Sequence, residues 1–289
     1  MKILIIGGSS FIGKNLIERI PSNCDVSASY NSSKSFLRFV KNYPNVKPFK
    51  LDLLKNKKIS LGDPDIILYL VGISPANDRG QMVENLNIMD YLHSKAISYI
   101  LKNTKKVNKF IYFSSGIYYL LDNYSNYRKS RLLGESSILL ESKLLSFDYV
   151  IIRNMEIYGK YMAKHKIYRR LCEFALNNVR EISINGDGTN LIETMYIDDY
   201  IDIIIKILKS NLKNKIIDIS KSKPVTIKNL IKIIYNVCGN DQPKINFSST
   251  ATENTNFILD NTEMIRSLDF NPTITLNEGL LKWIKGGLK

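Results

Sequence analysis

The chain has 289 residues, of which 44% are hydrophobic, so it can form one large globular domain or two interleaved lobes. No apolar run approaches the ~20 residues of a membrane span, and the N-terminal one is too short for a secretion signal, so we expect a cytoplasmic protein without a membrane partner. Its 41 Lys and Arg against 27 Asp and Glu give a net charge of +14, but these cations are scattered, which disfavours nucleic acid as a partner.

The chain begins with an apolar strand that runs directly into a glycine-rich turn. Residues Lys2–Ile6 suit a strand that is buried on both faces of a parallel sheet. Gly7 permits a tight exit from this strand, and Gly13 lets the next helix pack close to it. The free backbone N–H groups and the positive end of the helix would face an anion such as a dinucleotide pyrophosphate. We therefore predict cofactor contacts from Gly7, Ser9, Ser10, Phe11 and Ile12.

Strand-like and helix-like segments then alternate through the first half of the chain. The predicted strands are Lys2–Ile6, Cys24–Ser29, Val46–Leu51, Ile66–Leu70, Phe110–Ser114 and Tyr149–Ile152, and helices are predicted after Phe11, Ser33, Arg79, Ser125 and Met162. This alternation predicts an α/β fold, with a doubly wound parallel sheet that is covered by helices on both faces.

The second half of the chain is more mixed. A loop is predicted at 185–188, a helix after Asp198-Asp199, a strand over Ile216–Ile219 and a helix from Thr226 to Cys238. We expect a dinucleotide-binding domain formed by residues 1–153 plus about 189–219. A smaller α/β substrate lobe would comprise residues of about 154–188 plus 220–289. The 3 cysteines and 2 histidines lack metal-ligand spacing, so we expect no metal.

The residues best suited to chemistry lie on the helix predicted after Ser125. Tyr127 and Arg131 are four positions apart and therefore share one helix face. A phenol is a poor acid or base near neutral pH unless a neighbouring cation stabilises the phenolate, and Arg131 would supply that cation. Ser114 and Ser115 follow the fifth strand at its carboxyl end, where open α/β sheets bind their ligands. Either hydroxyl can bond a carbonyl or alcohol beside Tyr127.

Motifs along nearly the whole chain resemble the landmarks of one family. The Gly7–Gly13 turn is similar to a G-x-x-G-x-x-G turn, with Ser10 at the middle glycine. Further similar segments are 49–53, 68–72, 109–115, 152–159, 186–199 and 259–280. Together they resemble the extended short-chain dehydrogenases/reductases of the NAD-dependent epimerase/dehydratase family, which mostly act on nucleotide sugars. The resemblance implies a Rossmann-type fold, a nucleotide-sugar substrate, and a homodimer formed through the helices after Arg79 and Ser125.

The resemblance also implies roles for individual residues. The catalytic residues would be Ser115, which is favoured over Ser114, together with Tyr127 and Arg131. Besides the glycine turn, the implied cofactor contacts are Asp52 and Leu53 at the adenine, Leu70, Val71 and Gly72 near the nicotinamide ribose, and Tyr127, Arg131 and Asn154. The implied substrate contacts are Ser74, Ser115 and Tyr196.

Some positions depart from the family's pattern. Arg131 stands where the family has a catalytic lysine, and this retains the charge on a bulkier, planar head. Ile192 stands where an arginine often meets the sugar nucleotide's diphosphate, and Asn254 and Asn256 lie in a stretch usually richer in arginine. These departures make a dinucleotide-binding protein with eroded catalysis one alternative.

Two further positions narrow the cofactor and the reaction. No acidic residue ends the second strand, whereas Asn31 and Lys34 would tolerate a 2′-phosphate, so the sequence favours NADP over NAD. Gly116 and Ile117 follow Ser115, where the resemblance implies an Asp-Glu pair in sugar 4,6-dehydratases. Without that acid and base we expect hydride transfer at one carbon. The preferred interpretation is a reductase of a nucleotide-linked 4-keto sugar, and the alternative within the same class is a 4-epimerase with tightly bound NAD.

Overall fold

Seven parallel strands form the main sheet of the computed structural model, which describes residues 1–55, 59–73, 86–116, 126–221, 223–248 and 258–288. These strands are β1 (Lys2–Ile6), β2 (Asp25–Tyr30), β3 (Val46–Lys50), β4 (Ile66–Tyr69), β5 (Lys109–Phe113), β6 (Asp148–Asn154) and β11 (Lys215–Ile219). Their order across the sheet is β11-β6-β5-β4-β1-β2-β3. The predicted α/β fold with a doubly wound parallel sheet is therefore confirmed.

Shorter strands pair two by two outside the main sheet. They are β7 (Glu156–Tyr158), β8 (Glu181–Ile184), β9 (Leu191–Ile192), β10 (Thr194–Tyr196), β12 (Val225–Thr226) and β13 (Lys244–Phe247). The pairs are β7 with β10, β8 with β13 and β9 with β12. Two of these pairs, β7 with β10 and β9 with β12, join segments of the two predicted lobes, whereas β8 and β13 both lie in the predicted substrate lobe. The division into lobes stays a prediction.

Helices flank the sheets. They are α1 (Phe11–Arg19), α2 (Lys34–Val40), α3 (Leu86–Asp90), α4 (Ala96–Lys102), α5 (Asn126–Leu145), α6 (Ile167–Leu176), α7 (Ile197–Lys209), α8 (Ile227–Val237), α9 (Thr262–Leu268) and α10 (Leu276–Lys285). A π-helical turn, Tyr91–Lys95, joins α3 to α4, and a 3₁₀ turn spans Leu53–Lys55. Among the described residues, no helix combines the length and the apolar character needed to cross a membrane.

Several boundaries differ from the prediction by one or two residues, and two of these differences have a clear physical reason. Strand β6 runs to Asn154 rather than Ile152 because β11 pairs with it as far as Asn154, opposite Ile219. Helix α7 begins at Ile197, so Asp198 and Asp199 lie inside its first turn rather than before it. Carboxylates are favourable there because the N-terminal end of a helix carries a partial positive charge.

Alternating residues of β1 feed two separate hydrophobic clusters. Ile3 and Ile5 belong to the cluster that includes residues of α1, α7, α8 and α10. Leu4 and Ile6 belong to the cluster that includes residues of α4 and α5. The central strand is thus buried on both faces, which explains its uninterrupted apolar sequence.

The order of the strands fixes where a ligand site can form. The chain adds β2 and β3 on one side of β1 and then crosses to add β4 on the other side. In open α/β sheets, the crevice outside the carboxyl ends of the strands at such a reversal is the usual ligand site. Here that crevice lies beyond Ile6 of β1 and Tyr69 of β4.

Candidate active site

The turn between β1 and α1 brings the backbone unusually close to its neighbours. Gly7 has a φ of 95°, in the region that favours glycine. A Cβ on Gly13 would lie 2.5 Å from the carbonyl oxygen of Gly8, so the helix packs against the turn in a way that only glycine allows. The Ser10 side chain caps α1 by accepting a hydrogen bond from the N–H of Gly13 at 3.0 Å. The N–H groups in the first turn of a helix that begins in this way are suited to binding an anion.

A first cleft of about 280 Å³ lies beside this turn. Its lining includes predicted cofactor contacts from four separate segments: Gly7, Ser9, Ser10, Asn31, Asp52, Leu53, Leu70, Val71 and Gly72. Ser29, at the end of β2, also lines it and accepts a hydrogen bond from the Gly7 N–H at 2.8 Å. Asp52 accepts one from the N–H of Leu54 at 3.1 Å, which holds its carboxylate at the wall of the cleft.

A second, larger cleft of about 760 Å³ adjoins the first, and both are lined by Leu70 and Gly72. The other predicted site residues that line it are Phe11, Ile12, Ser115, Tyr127, Arg131 and Asn154. Asn154 is held by the Tyr200 hydroxyl, which donates to its side-chain oxygen at 3.1 Å. The structure thus brings the glycine turn and the tyrosine of α5 to one continuous crevice.

Arg131 is fixed next to Tyr127 in the second cleft. Its Nη1 donates to the Phe113 carbonyl at 3.1 Å, and its guanidinium carbon lies 5.1 Å from the centroid of the Tyr127 ring. Burial would lower the pKa of Arg131, but Tyr127 and Tyr112 act in the opposite direction and raise it. The guanidinium therefore stays charged. Its Nε is buried without a hydrogen-bond partner among the described residues.

The two serines after β5 have different surroundings. The Ser114 hydroxyl donates to Oε1 of Glu135 at 2.5 Å, and Glu135 also forms a buried two-point ion pair with Arg153, at 3.0 Å and 2.6 Å. Ser114 is thereby committed to the buried ion pair although it lines the second cleft. This arrangement is consistent with the preference for Ser115 over Ser114.

Two predicted site residues among those that the structure describes are not brought to the clefts. Lys34 begins α2 as an exposed residue and lines neither cleft. Tyr196 is buried at 4% exposure, with its ring centroid 5.4 Å from that of Tyr158, and it lines neither cleft. Ser74 lies outside the described residues, as do Ile117, Asn254 and Asn256.

Sequence reasoning missed several polar residues of the second cleft. Lys166, Glu156 and Glu193 line it, and Glu193 accepts hydrogen bonds from the N–H groups of Lys221 at 3.0 Å and Leu259 at 3.1 Å. These partners are distant in the sequence, so no local pattern marks them. For Glu135 a signal was present, because it follows Tyr127 and Arg131 at the same four-residue spacing.

Comparison with known proteins supports the same family. The profile of the NAD dependent epimerase/dehydratase family matches residues 3–220. A Methanocaldococcus jannaschii protein named "Putative UDP-glucose 4-epimerase" is 26% identical, with 98% of each chain covered. A GDP-L-fucose synthase of Arabidopsis thaliana is 26% identical over 39% of this chain and 35% of its own.

Solved structures share the fold over the full chain. A variant of UDP-glucuronic acid 4-epimerase from Bacillus cereus, determined with NAD and a fluorinated UDP-glucuronic acid, superposes with a TM-score of 0.86 at 22% identity and 99% coverage of both chains. UDP-glucose 4-epimerase from Thermotoga maritima gives a TM-score of 0.84 at 19% identity and 100% coverage of both chains. Together with the match to residues 3–220, these likenesses confirm the expectation from the motifs: the chain belongs to the NAD-dependent epimerase/dehydratase family.

Proposed function

We propose that the protein is a nucleotide-sugar 4-epimerase that keeps its nicotinamide cofactor bound between turnovers. The observation that carries this proposal is the Tyr127–Arg131 pair in a cleft continuous with the glycine turn. Full-length relatives that are named 4-epimerases favour epimerisation over the net reduction that the sequence alone favoured.

The residues of the first cleft fit a dinucleotide. Ser9 and Ser10, together with Phe11 and Ile12 of the adjoining second cleft, would hold the pyrophosphate at the start of α1. Gly13 lets α1 approach this turn, because a Cβ there would strike the carbonyl oxygens of Gly8 and Gly7. Asn31 would bind the adenosine ribose, Asp52 and Leu53 the adenine, and Leu70, Val71 and Gly72 the nicotinamide ribose. When bound, the nicotinamide ring would exchange a hydride with C4 of the sugar.

The side chains of the second cleft would manage the proton. Tyr127 would take the proton from the C4 hydroxyl. It would return the proton after the sugar has rotated in the cleft and presents its other face. Arg131, which is held in place by the Phe113 carbonyl, would stabilise the phenolate and hold the nicotinamide ribose through its guanidinium. Ser115 would orient the sugar oxygen, and Asn154 would border the nicotinamide.

The substrate would occupy the second cleft on the side of the smaller lobe. Lys166 lines this cleft and carries a cation that can approach a diphosphate. Ile192 adds an apolar wall where the family has an arginine. Ser74 stays a proposed substrate contact, whereas the buried position of Tyr196 favours a packing role.

A 4-keto reductase is the second candidate, and the end of β2 is the observation that favours it. Strand β2 ends at Tyr30, and Asn31 follows at the wall of the first cleft without an acidic side chain. Such an end accommodates the 2′-phosphate of NADP. Lys34, at the start of α2, is exposed and does not line that cleft, so it adds no support for a 2′-phosphate.

A homodimer through α5 is the proposed assembly. Leu133, Leu140 and Leu144 lie on one face of this helix and are 40%, 59% and 67% exposed. Exposed leucines at helical spacing suit a helix-to-helix contact with a second copy. Equilibrium sedimentation of the wild type and of Leu140→Glu would test it, and a monomeric wild type would contradict it.

One experiment separates the proposed functions. The purified protein is denatured and analysed for released NAD and NADP, and the native protein is then incubated with UDP-glucose, UDP-N-acetylglucosamine or UDP-glucuronic acid. Released NAD together with interconversion of C4 epimers would support the epimerase. If the denatured protein releases no cofactor, and the native protein consumes NADPH in proportion to an added 4-keto nucleotide sugar, the reductase would be supported. Failure to bind either cofactor would contradict both.

A further inference from the structure

A buried histidine lies behind the Tyr127–Arg131 pair, in the π-helical turn Tyr91–Lys95. His93 has 0% exposure. The Leu92 carbonyl of this turn accepts a hydrogen bond from the Tyr69 hydroxyl at 2.6 Å, and the His93 carbonyl accepts one from the Tyr112 hydroxyl at 3.0 Å. The turn is therefore fixed to β4 and β5. Single π-helical turns inside α-helices are rare and frequently occur at functional sites.

Both ring nitrogens of His93 are engaged, each by a different part of the site. Nε2 accepts a hydrogen bond from the backbone N–H of Ile73, in the segment after β4 that lines the second cleft. Nδ1 lies 2.7 Å from the Ser130 hydroxyl, which itself donates to the Tyr127 carbonyl at 2.9 Å. Since the single hydroxyl proton of Ser130 goes to that carbonyl, Nδ1 must carry the proton that Ser130 accepts. These contacts assign a neutral imidazole protonated at Nδ1.

The surroundings of His93 favour this neutral form. Burial lowers the pKa of His93 to about 2, and the nearby charge of Arg131 acts in the same direction. The rings of His93 and Tyr127 form a T-shaped contact, with a centroid distance of 5.8 Å and an interplanar angle of 85°. On the other side of the turn, a Cβ at Gly134 would collide with the His93 carbonyl, so α5 passes directly against it.

We propose that His93 is a positioning residue that holds the segment after β4 and the Tyr127 turn of α5 in a fixed relation, through Ile73 on one side and Ser130 on the other. Its catalytic importance rests on the proposed function, in which the nicotinamide lies beside that segment and Tyr127 exchanges the proton. His93 packs against the ring of Tyr127, and its proposed role is to position that residue rather than to exchange the proton. It sets the distance between the nicotinamide and the Tyr127 phenol. A displacement of about 1 Å between reacting groups can lower the reaction rate about 100-fold.

The first test reads the histidine directly and needs no substrate. The chain has only 2 histidines, so a two-dimensional ¹H–¹⁵N spectrum of the ring nitrogens is simple, and His165→Gln assigns the remaining signals to His93. We expect a protonated Nδ1 and an unprotonated Nε2 that do not change between pH 8 and pH 5. An imidazolium or an Nε2-protonated ring in this range would overturn the proposal, whatever reaction the protein catalyses.

The second test uses matched variants to separate the contact of His93 with Ile73 from its contact with Ser130. His93→Asn keeps a donor toward Ser130, His93→Gln keeps an acceptor toward Ile73, and His93→Phe fills the space without either. We expect kcat with a nucleotide sugar to fall roughly 100-fold in His93→Phe, with KM changed less than about threefold, and each amide to restore part of the loss. A structural role alone would lower thermal stability without this split between kcat and KM.

A double variant closes the argument. If His93 acts through Ser130, adding Ser130→Ala to His93→Phe should lower kcat no further than the larger single effect. Additive losses, or a normal kcat in folded His93→Phe, would overturn the proposal. A wild type that binds nicotinamide cofactor but turns over no nucleotide sugar would instead count against the proposed function, and the ring spectrum would still decide the state of His93.

Discussion

The two clefts are built in different ways. The first is built around the backbone of a glycine turn and the segments that follow β1, β2, β3 and β4, and each segment contributes residues that are neighbours in sequence. The second depends on side chains that meet from distant parts of the chain, such as Asn154 with Tyr200 and Ser114 with Glu135. A site made of backbone is specified by local sequence, whereas a site made of side chains depends on the packing that supports them.

Removing the phenol should have the largest effect and should be confined to the second cleft. In Tyr127→Phe we expect turnover to fall about 10³-fold because the group that exchanges the proton is gone. Cofactor binding, followed by nicotinamide fluorescence, should change less than about threefold. Tyr149→Phe, in the first part of β6 and away from both clefts, is the matched control. Normal turnover in Tyr127→Phe would exclude the phenol from the mechanism.

Breaking the buried ion pair tests how much the second cleft depends on its support. The side chains of Glu135 and Arg153 are 6% and 8% exposed, so Glu135→Gln should lower the free energy of unfolding by about 3–5 kcal/mol. Asp241→Asn serves as the control, since Asp241 pairs with Arg180 at exposures of 86% and 57% and should contribute less than about 1 kcal/mol. If chemical denaturation shows equal losses of unfolding free energy in Glu135→Gln and Asp241→Asn, the distinction between the buried and the exposed ion pair would be contradicted.

A methyl group in the glycine turn tests the backbone-built cleft. In Gly13→Ala the new Cβ would meet the carbonyl oxygens of Gly8 and Gly7 at 2.5 Å and 2.7 Å, and backbone cannot move aside cheaply. We expect a loss of about 2–3 kcal/mol in the free energy of unfolding, together with weaker cofactor binding. Gly286→Ala is the control, because its Cβ would lie 3.4 Å from the carbonyl oxygens of Lys282 and Trp283, an ordinary contact distance. A Gly13→Ala protein that binds cofactor normally would contradict the close-approach argument.

The buried histidine predicts how stability depends on pH. The pKa of His93 is lowered to about 2, whereas an unfolded histidine titrates near 6.5, so between these values the unfolded chain binds more protons. The free energy of unfolding should therefore fall as pH falls below 6.5, by about 2 kcal/mol on reaching pH 5. Denaturation curves of His93→Gln should lack this part of the slope, and those of His165→Gln should retain it. Identical slopes in both variants would exclude His93 as its source.

The smallest predicted effect concerns the choice of cofactor at the end of β2. Asn31→Asp adds a carboxylate to the first cleft, where it can accept from a ribose hydroxyl and repel a 2′-phosphate. The ratio of the NADPH to the NADH dissociation constant should rise about tenfold, as measured by fluorescence titration. Asn42→Asp makes the same change of charge at an exposed position outside the clefts. A similar shift in both variants would trace the effect to net charge alone.

What could be predicted from the sequence follows the same division. The strands of the main sheet, the glycine turn and the four-residue spacing of Tyr127 and Arg131 are local patterns, and the structure reproduces them within about two residues. The burial of Tyr196 could not be predicted, because it depends on Gly279, far along the chain, which leaves room for its ring. The role of His93 could not be predicted for the same reason, because Ile73 and Ser130 approach it only in the folded chain.

Gly72 lines both clefts, and a Cβ there would collide with Nη2 of Arg131. Apart from Leu70, the other lining residues border only one cleft, so most changes in the crevice affect one ligand at a time and cofactor and sugar preferences can drift independently during evolution. Position 72 does not allow that freedom. Any larger residue at position 72 would displace the Arg131 guanidinium in the second cleft and narrow the first cleft at the same time. This glycine therefore couples the evolution of cofactor specificity and sugar specificity, which could otherwise change separately.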